Sequence, residues 1–409
     1  MNDKRIKIII GLAILGLVLG SYGMVKRLLF GLNPVAFGSY VPWGLWVAFY
    51  LFFLGLSAGA FLVTTMTYVF KMERFEKIGP LAAFTVLIAL LCEVFFITLD
   101  LGRMIRIYRF LLTPSFTSLM TWMFVLFNAM LVIYALKTFF LLRGNLIEWG
   151  NDQKRKGHRI YNLLALGKTD YTILNQKKDK EMVHLLSLVS LPVGLIFYGA
   201  NGAFFAILLN RPIWNSALTP LLFIVAALLS GGALITFLIH IFQPNEKLVK
   251  ELGQVILFIL ITFLFLEVLQ FFVGYQSGVV SVVTSLNLIA FGRYWWSFWI
   301  IHLLIGSLIP LYWLIFRQGD PSKAAWACFL IVITFITVRF NFVIPDLAVY
   351  KLEGLEATFF HPRLRTDYLP NLTEWLVSIW VVSFGVLAFL FGARLLPLSE
   401  SGEGGERHA

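Results

Sequence analysis

Two cysteines in 409 residues, Cys92 and Cys328, are too few to hold an iron–sulfur cluster, and no Cys-x-x-Cys-His run offers a haem attachment point. Both fall inside apolar runs, where packing is the simpler use. Charge is equally scarce: charged residues make up 13% of the chain against 59% hydrophobic residues. With a mean hydropathy of +0.84, this composition excludes a soluble domain. Histidine is limited to six. Of these, His184 and His240 alone come near a matched depth, so a haem b protein is an alternative with few ligands to draw on.

What is abundant is long apolar sequence. Runs long enough to cross about 30 Å of hydrocarbon as helices fall near 6–25, 41–70, 78–100, 117–142, 183–208, 216–242, 250–275, 293–316, 324–345 and 373–396. The expected fold class is therefore an all-α integral membrane protein with ten transmembrane helices. The first run has no small-residue cleavage site after a short apolar core and reads as a retained anchor. With the N-terminus inside, inner segments hold about twice as many Lys and Arg as outer ones, which predicts a cell-membrane protein with both termini cytoplasmic. The inner loop 143–182, with NDQKRKGHR, carries much of the +11 net charge. It reads as a topology and lipid-headgroup signal, not a nucleic-acid site.

Ionisable residues inside hydrocarbon are costly, so each is a functional candidate. In this topology Glu93, Asp100, Arg103, Asn201, Glu267, Gln270, His302, Arg339 and Asn341 all fall in the outer half of the membrane. Glu93 and Asp100 share a helix face at seven-residue spacing. In FITLDLGRMIRIYRF, 96–110, Arg103 follows Asp100 by three residues and can pair with it if the helix persists. Arg106 and Arg109 suit an acidic partner or lipid phosphates. Trp295, Trp299 and His302 share a face in RYWWSFWIIH. The structural reading of the layer is helix-to-helix ion pairs, such as Glu93 or Glu267 with Arg339. Tyr50, Tyr198 and Tyr294 are belt or packing candidates, and Lys137 and His240 lie near the inner surface, where they can snorkel.

Two stretches carry a resemblance. VPWGLWVAFYLFFLGLSAGAF, 41–61, resembles the first core helix of the NrfD family of quinone-interacting membrane subunits, which includes polysulfide reductase and hydrogenase-2 membrane subunits. LDLGRMIRIYRFLLTPSFTSLMTW, 99–122, is similar to that family's acid-plus-arginine segment and the helix entrance after it. RTDYLPNLTEW, 365–375, resembles the Tyr, Pro and Glu pattern of the ten-helix branch, whose members include DsrP- and HmeB-type subunits of sulfate-reducer redox complexes. Where the polysulfide reductase branch has Asn and His on its first core helix, this chain has Val47 and Tyr50.

The resemblance implies two four-helix bundles, spans 2–5 and 6–9, with helices 1 and 10 flanking them. The corresponding divisions are an anchor helix and outer loop at 1–40, a first bundle at 41–210 and a second at 211–345. An outer docking segment, last helix and cytoplasmic tail occupy 346–409. It also implies a quinone site near the outer surface, menaquinone or another quinone as bound substrate, and no haem or iron–sulfur cluster in this chain. Electrons would pass to or from an extracytoplasmic ferredoxin-like iron–sulfur subunit, with cytochrome and other membrane subunits as further partners. Quinone reductase or quinol dehydrogenase activity would belong to the complex, in sulfur or sulfate respiration, with proton translocation left open.

Quinone chemistry moves two electrons and two protons, so the site needs donors to carbonyl oxygens and a titratable group within hydrogen-bond reach. Glu93, Asp100, Arg103, Glu267, His302 and Arg339 are the candidate catalytic residues. Candidate quinone contacts are Tyr50, Asp100, Ser118, Trp122, Gln270, His302 and Asn341. A secondary transporter is the rival class. Its site would lie near the midplane on interrupted helices, and LLSGGALI, 228–235, is the strongest interruption candidate.

Overall fold

The structure, a computed structural model, describes residues 3–155, 157–351, 354–358, 361, 364–396 and 398. The expected C-terminal tail lies beyond these residues, as does Arg363 of the expected docking segment. Among the described residues there is helix and no strand, and ten helices are long and apolar enough to cross a membrane. They are α1 (Asp3–Phe30), α2 (Leu45–Tyr68), α3 (Gly79–Asp100), α4 (Leu119–Asn151), α5 (Ile173–Ala206), α6 (Leu218–Phe242), α7 (Glu246–Gln276), α8 (Ser297–Phe316), α9 (Pro321–Leu347) and α10 (Leu372–Leu395). Polar residues fix several starts. Asp320 accepts from the amides of Ser322 and Lys323 ahead of Pro321, and Asn245 and Asn371 cap α7 and α10 in the same way.

α2 is the central helix, buried along nearly its whole length. It packs on α3, α6, α9 and α5, while α1 pairs with α10 against α3. Further neighbours are α3 on α4, α4 on α5, α5 on α6, α6 on α7 and α9, α7 on α9, and α8 on α9 and α7. The glycine pair Gly231–Gly232 does not interrupt α6, which runs unbroken to Phe242. A Cβ on Gly231 would sit 2.7 Å from the Gly55 carbonyl oxygen, because α2 and α6 cross at Gly59 and Gly231. Small residues are used here for close approach, and the interruption that a transporter reading wanted is absent from this helix.

Three departures from the sequence expectation shape the site. First, α3 ends at Asp100, and Leu101 is already extended with ψ 129°. The helical spacing that would have paired Arg103 with Asp100 therefore stops three residues short of Arg103, which is exposed. Second, α8 begins with π-type turns over Ser297–Leu308. The i→i+5 register changes which side chains share a face, so Trp295 and Trp299 turn outward while His302 is buried. Third, the basic loop is shorter than expected, since α4 runs on to Asn151, α5 starts at Ile173, and a short helix, His158–Leu164, lies between them.

Candidate functional site

One end of the molecule carries Asp100 and is called the Asp100 end; the other carries the basic loop. The predicted residues form one layer in sequence but three groups in space.

At the rim of the Asp100 end, Arg27 of α1 donates from Nε to the Leu99 carbonyl at 2.7 Å and from Nη2 to the Leu101 carbonyl at 2.6 Å. It caps the open end of α3 and is the cation nearest in effect to Asp100, whose Oδ1 is buried without a hydrogen bond. Glu374 is the adjoining acid, accepting from the Ala36 amide at 2.7 Å and from the Tyr368 hydroxyl. Tyr368 in turn accepts from the Leu45 amide at 2.8 Å, and Asn371 reaches the Pro34 carbonyl at 2.7 Å. The Tyr, Pro and Glu segment thus clamps the starts of α2 and α10 together. Burial, with Glu374 beside it, pushes the Tyr368 phenol above its ordinary range, and burial does the same to Tyr294, which donates to the Tyr368 carbonyl at 2.8 Å. Both therefore stay neutral donors at neutral pH.

Nearby, Asp346 is held by Lys351 Nζ at 2.8 Å, while Arg211 donates to the Asp346 carbonyl at 2.7 Å. Burial lowers the affinity of both cations for their protons, and the Asp346 carboxylate opposes it. Arg103, Arg106 and Arg109 are exposed. Ser118 stands at the start of α4, and Trp122, half exposed, donates to the Phe116 carbonyl at 2.9 Å.

The second group lies among α2, α3 and α5. Tyr50 donates to Asn201 Oδ1 at 2.6 Å, and Asn201 donates to the Phe197 carbonyl at 2.9 Å. Glu93 is fully buried and neither carboxyl oxygen has a hydrogen-bond partner. Tyr50 and Tyr198 are close enough to interact with it electrostatically. Tyr50 and Tyr198 are thus interior hydrogen-bonding groups and not belt residues.

The third group surrounds a cavity of about 70 Å³ in the second half of the chain. Glu267 of α7 and His302 of α8 meet at 2.8 Å. Glu267, Gln270, Arg339 and Asn341 line the cavity. Arg339 is buried, its Nε lacks a hydrogen-bond partner, and its guanidinium lies over the rings of Phe223 (4.8 Å) and Phe335 (5.5 Å). Among the described residues it makes no ion pair with Glu93 or Glu267, so the expected structural pairing is not formed. Asn341 accepts from Ser297 at 2.6 Å, leaving its Nδ2 without a partner. Phe271 and Phe298 stack at 5.0 Å on the same cavity. Five of the predicted residues therefore converge here, with two unused donors, a hydrogen-bonded acid–imidazole pair and an aromatic wall. A larger cavity of about 460 Å³ opens at the Asp100 end beside Asn33, Phe37 and Arg365, but among the described residues Arg365 is its one charged lining residue.

Arg27, Tyr368 and Glu374 were not recognised as site neighbours from sequence. Arg27 bonds across 72 and 74 residues, and Glu374 and Tyr368 reach Ala36 and Leu45 across 338 and 323, separations that no local spacing signals. With the geometry described, a family model, "Polysulphide reductase, NrfD", matches residues 35–351. The chain belongs to the NrfD family. The match spans α2 to α9. Among relatives, a selenate reductase subunit of Mesobacillus selenatarsenatis is 30% identical over 93% of this chain and 92% of its own length. The Hdr-like menaquinol oxidoreductase integral membrane subunit of Archaeoglobus fulgidus is 23% identical, covering 93% and 90%. A putative dimethyl sulfoxide reductase membrane subunit of Halobacterium salinarum is 26% identical, covering 96% and 91%. This chain is thus an NrfD-family multi-pass membrane subunit of the kind found in redox complexes, with a menaquinol oxidoreductase subunit among its relatives.

Proposed function

We propose that this chain is the quinone-exchanging membrane subunit of a multi-subunit oxidoreductase and that the quinone head group is handled at the Glu267–His302 cavity. The observation that carries the reading is the convergence there of a hydrogen-bonded acid–imidazole pair with the unused donors Arg339 Nε and Asn341 Nδ2. Oxidation of a quinol releases two electrons and two protons. The Glu267–His302 pair accepts the protons, and Arg339, Asn341 and Gln270 donate to the ring oxygens and hold them. The electrons leave for an iron–sulfur partner outside the membrane at the Asp100 end, and reduction runs the same balance backwards. At about 70 Å³ the cavity holds roughly two waters at ~30 Å³ each, so ring binding requires the Phe271–Phe298 stack to part. The exposed apolar face of α7, with Val268 and Phe272, leads to it from the lipid.

The charge asymmetry of the connecting segments supports a cell-membrane location with the Asp100 end outside and both termini cytoplasmic. The exposed Arg103, Arg106 and Arg109 support docking of an acidic partner at that end. In this reading the two bundles are α2–α5 and α6–α9, which the helix neighbours support. The menaquinol-linked relative favours menaquinone, and the terminal donor or acceptor, whether sulfur compound or another oxyanion, is set by the partner subunits. Quinol oxidation by the assembled complex carrying Glu267→Gln or Arg339→Gln tests this. Turnover falls about 10²-fold with assembly intact if the pair transfers the proton. Wild-type turnover in both variants removes the cavity from the mechanism.

A further inference from the structure

We propose that Lys137 is the proton-exchanging group through which the buried Glu93 carboxyl communicates with the basic-loop face. Sequence depth suggested that Lys137 would snorkel to the surface. Instead it is fully buried on α4, its Nζ has no hydrogen-bond partner, and among the described residues no acid lies within ion-pair distance. The amine rests over the rings of Tyr68 (5.0 Å) and Tyr134 (5.1 Å). Ring faces favour an ammonium, yet no carboxylate fixes the charge there. Those surroundings suit a group that takes up and gives up a proton.

Polar groups extend from Lys137 in both directions, hydroxyls towards the Asp100 end and an imidazole and an ion pair towards the basic loop. Tyr134 and Thr64 share a hydrogen bond of 2.6 Å, and Ser190 of α5 is within reach of Tyr134. Further towards the Asp100 end, Tyr198 donates to Ser57 at 3.2 Å beside Glu93. Ser57, Thr64 and Tyr68 fall on one face of α2 at seven- and four-residue spacing. The two hydroxyl pairs are ~10 Å apart along α2, and the Phe61 ring, 5.4 Å from that of Tyr198, lies in the interval. On the other side of Lys137, the Tyr68 carbonyl meets half-buried His184 at 2.9 Å, and the Arg143–Asp179 pair, at 2.7 Å, follows near the surface. The charged and titratable groups facing the lysine's surroundings are thus Tyr68 from α2, Tyr134 from its own helix, His184 from α5 and, at the far end, Glu93 from α3.

In the proposed step the Lys137 ammonium gives one proton to the Tyr134–Thr64 pair. Water entering beside Phe61 carries a proton across that interval to Tyr198, and the Glu93 carboxylate gains one. The neutral amine then takes a proton from the basic-loop face by way of His184. No electrons move, and the step does not rest on the quinone cavity.

Infrared spectroscopy of the purified complex moved from H₂O to D₂O tests it. The Glu93 carboxyl band is the one lost in Glu93→Gln, and its downshift times the exchange. Lys137→Met is expected to slow that exchange at least tenfold, and Tyr134→Phe, which leaves Lys137 in place, to slow it similarly. Lys180→Met, exposed near the start of α5, keeps the wild-type rate. If Lys137→Met does not assemble, Tyr134→Phe decides alone. Wild-type exchange in the testable variants, or no protonated Glu93 band at all, overturns the proposal. Quinol oxidation measured alongside separates this outcome from failure of the cavity reading.

Discussion

Glu267 Oε2 and His302 Nε2 lie 2.8 Å apart between α7 and α8, with Glu267 lining a cavity and His302 buried behind it. Residues that act as a unit lose function non-additively. His302→Phe, which keeps bulk but not the hydrogen bond, is expected to lower quinol turnover about as far as Glu267→Gln. The double variant should fall no lower than either, on the order of 10²-fold below wild type. Independent, multiplying losses in steady-state assays would mean that the two side chains do not share a task.

Arg27 predicts a different phenotype. Replacing it with Met removes two charge-assisted hydrogen bonds at the end of α3 and leaves Asp100 without its neighbouring cation. A cost of about 3 kcal/mol is expected, seen as a lower thermal midpoint of the complex in detergent. Turnover per assembled complex should be retained. Asp100→Asn tests the same rim, and if the cavity is the quinone site it affects stability more than rate. A turnover loss in assembled Asp100→Asn complex would return the rim to the mechanism.

The α2–α6 crossing predicts a sharp positional contrast. Gly231→Val forces side-chain atoms into the backbone of α2, whereas Gly232→Ala meets only the end of Ile256. Assembly should be lost in the first and kept in the second, as read by size-exclusion chromatography.

Tyr368→Phe leaves the Leu45 amide without its acceptor and Glu374 without one donor. Orphaning a buried group costs about 1–3 kcal/mol, so a loss of that size is expected from denaturation of the complex, with no change in the pH profile of turnover. An unchanged stability would show that the clamp is not needed.

The ten spans were legible because hydrocarbon thickness and helical rise fix the length of each apolar run. The same lengths set where polar residues fall along each span, and five residues so placed, Glu267, Gln270, His302, Arg339 and Asn341, meet at or beside one cavity. Azimuth was not. Helical spacing placed Arg103 beside Asp100 and Trp299 on the His302 face, and both readings failed where the helix departs from regular α geometry, by ending at Asp100 in one case and by π-type turns in the other. Which helix faces which was also hidden, so nothing local connected Arg27 to Leu99 or Glu374 to Ala36. Lys137 was misread because depth alone cannot tell a side chain that points to the surface from one that points at Tyr68 and Tyr134.

Photo-crosslinking of the assembled complex with an azido-quinone, followed by mapping of the labelled peptide, tests the central claim most directly. The account predicts label on α7 or α8, between Phe263 and Phe298, and its loss when an unlabelled quinone competes. Competed label on α2 or α5 beside Tyr50 and Asn201, with α7 and α8 unlabelled, would contradict it.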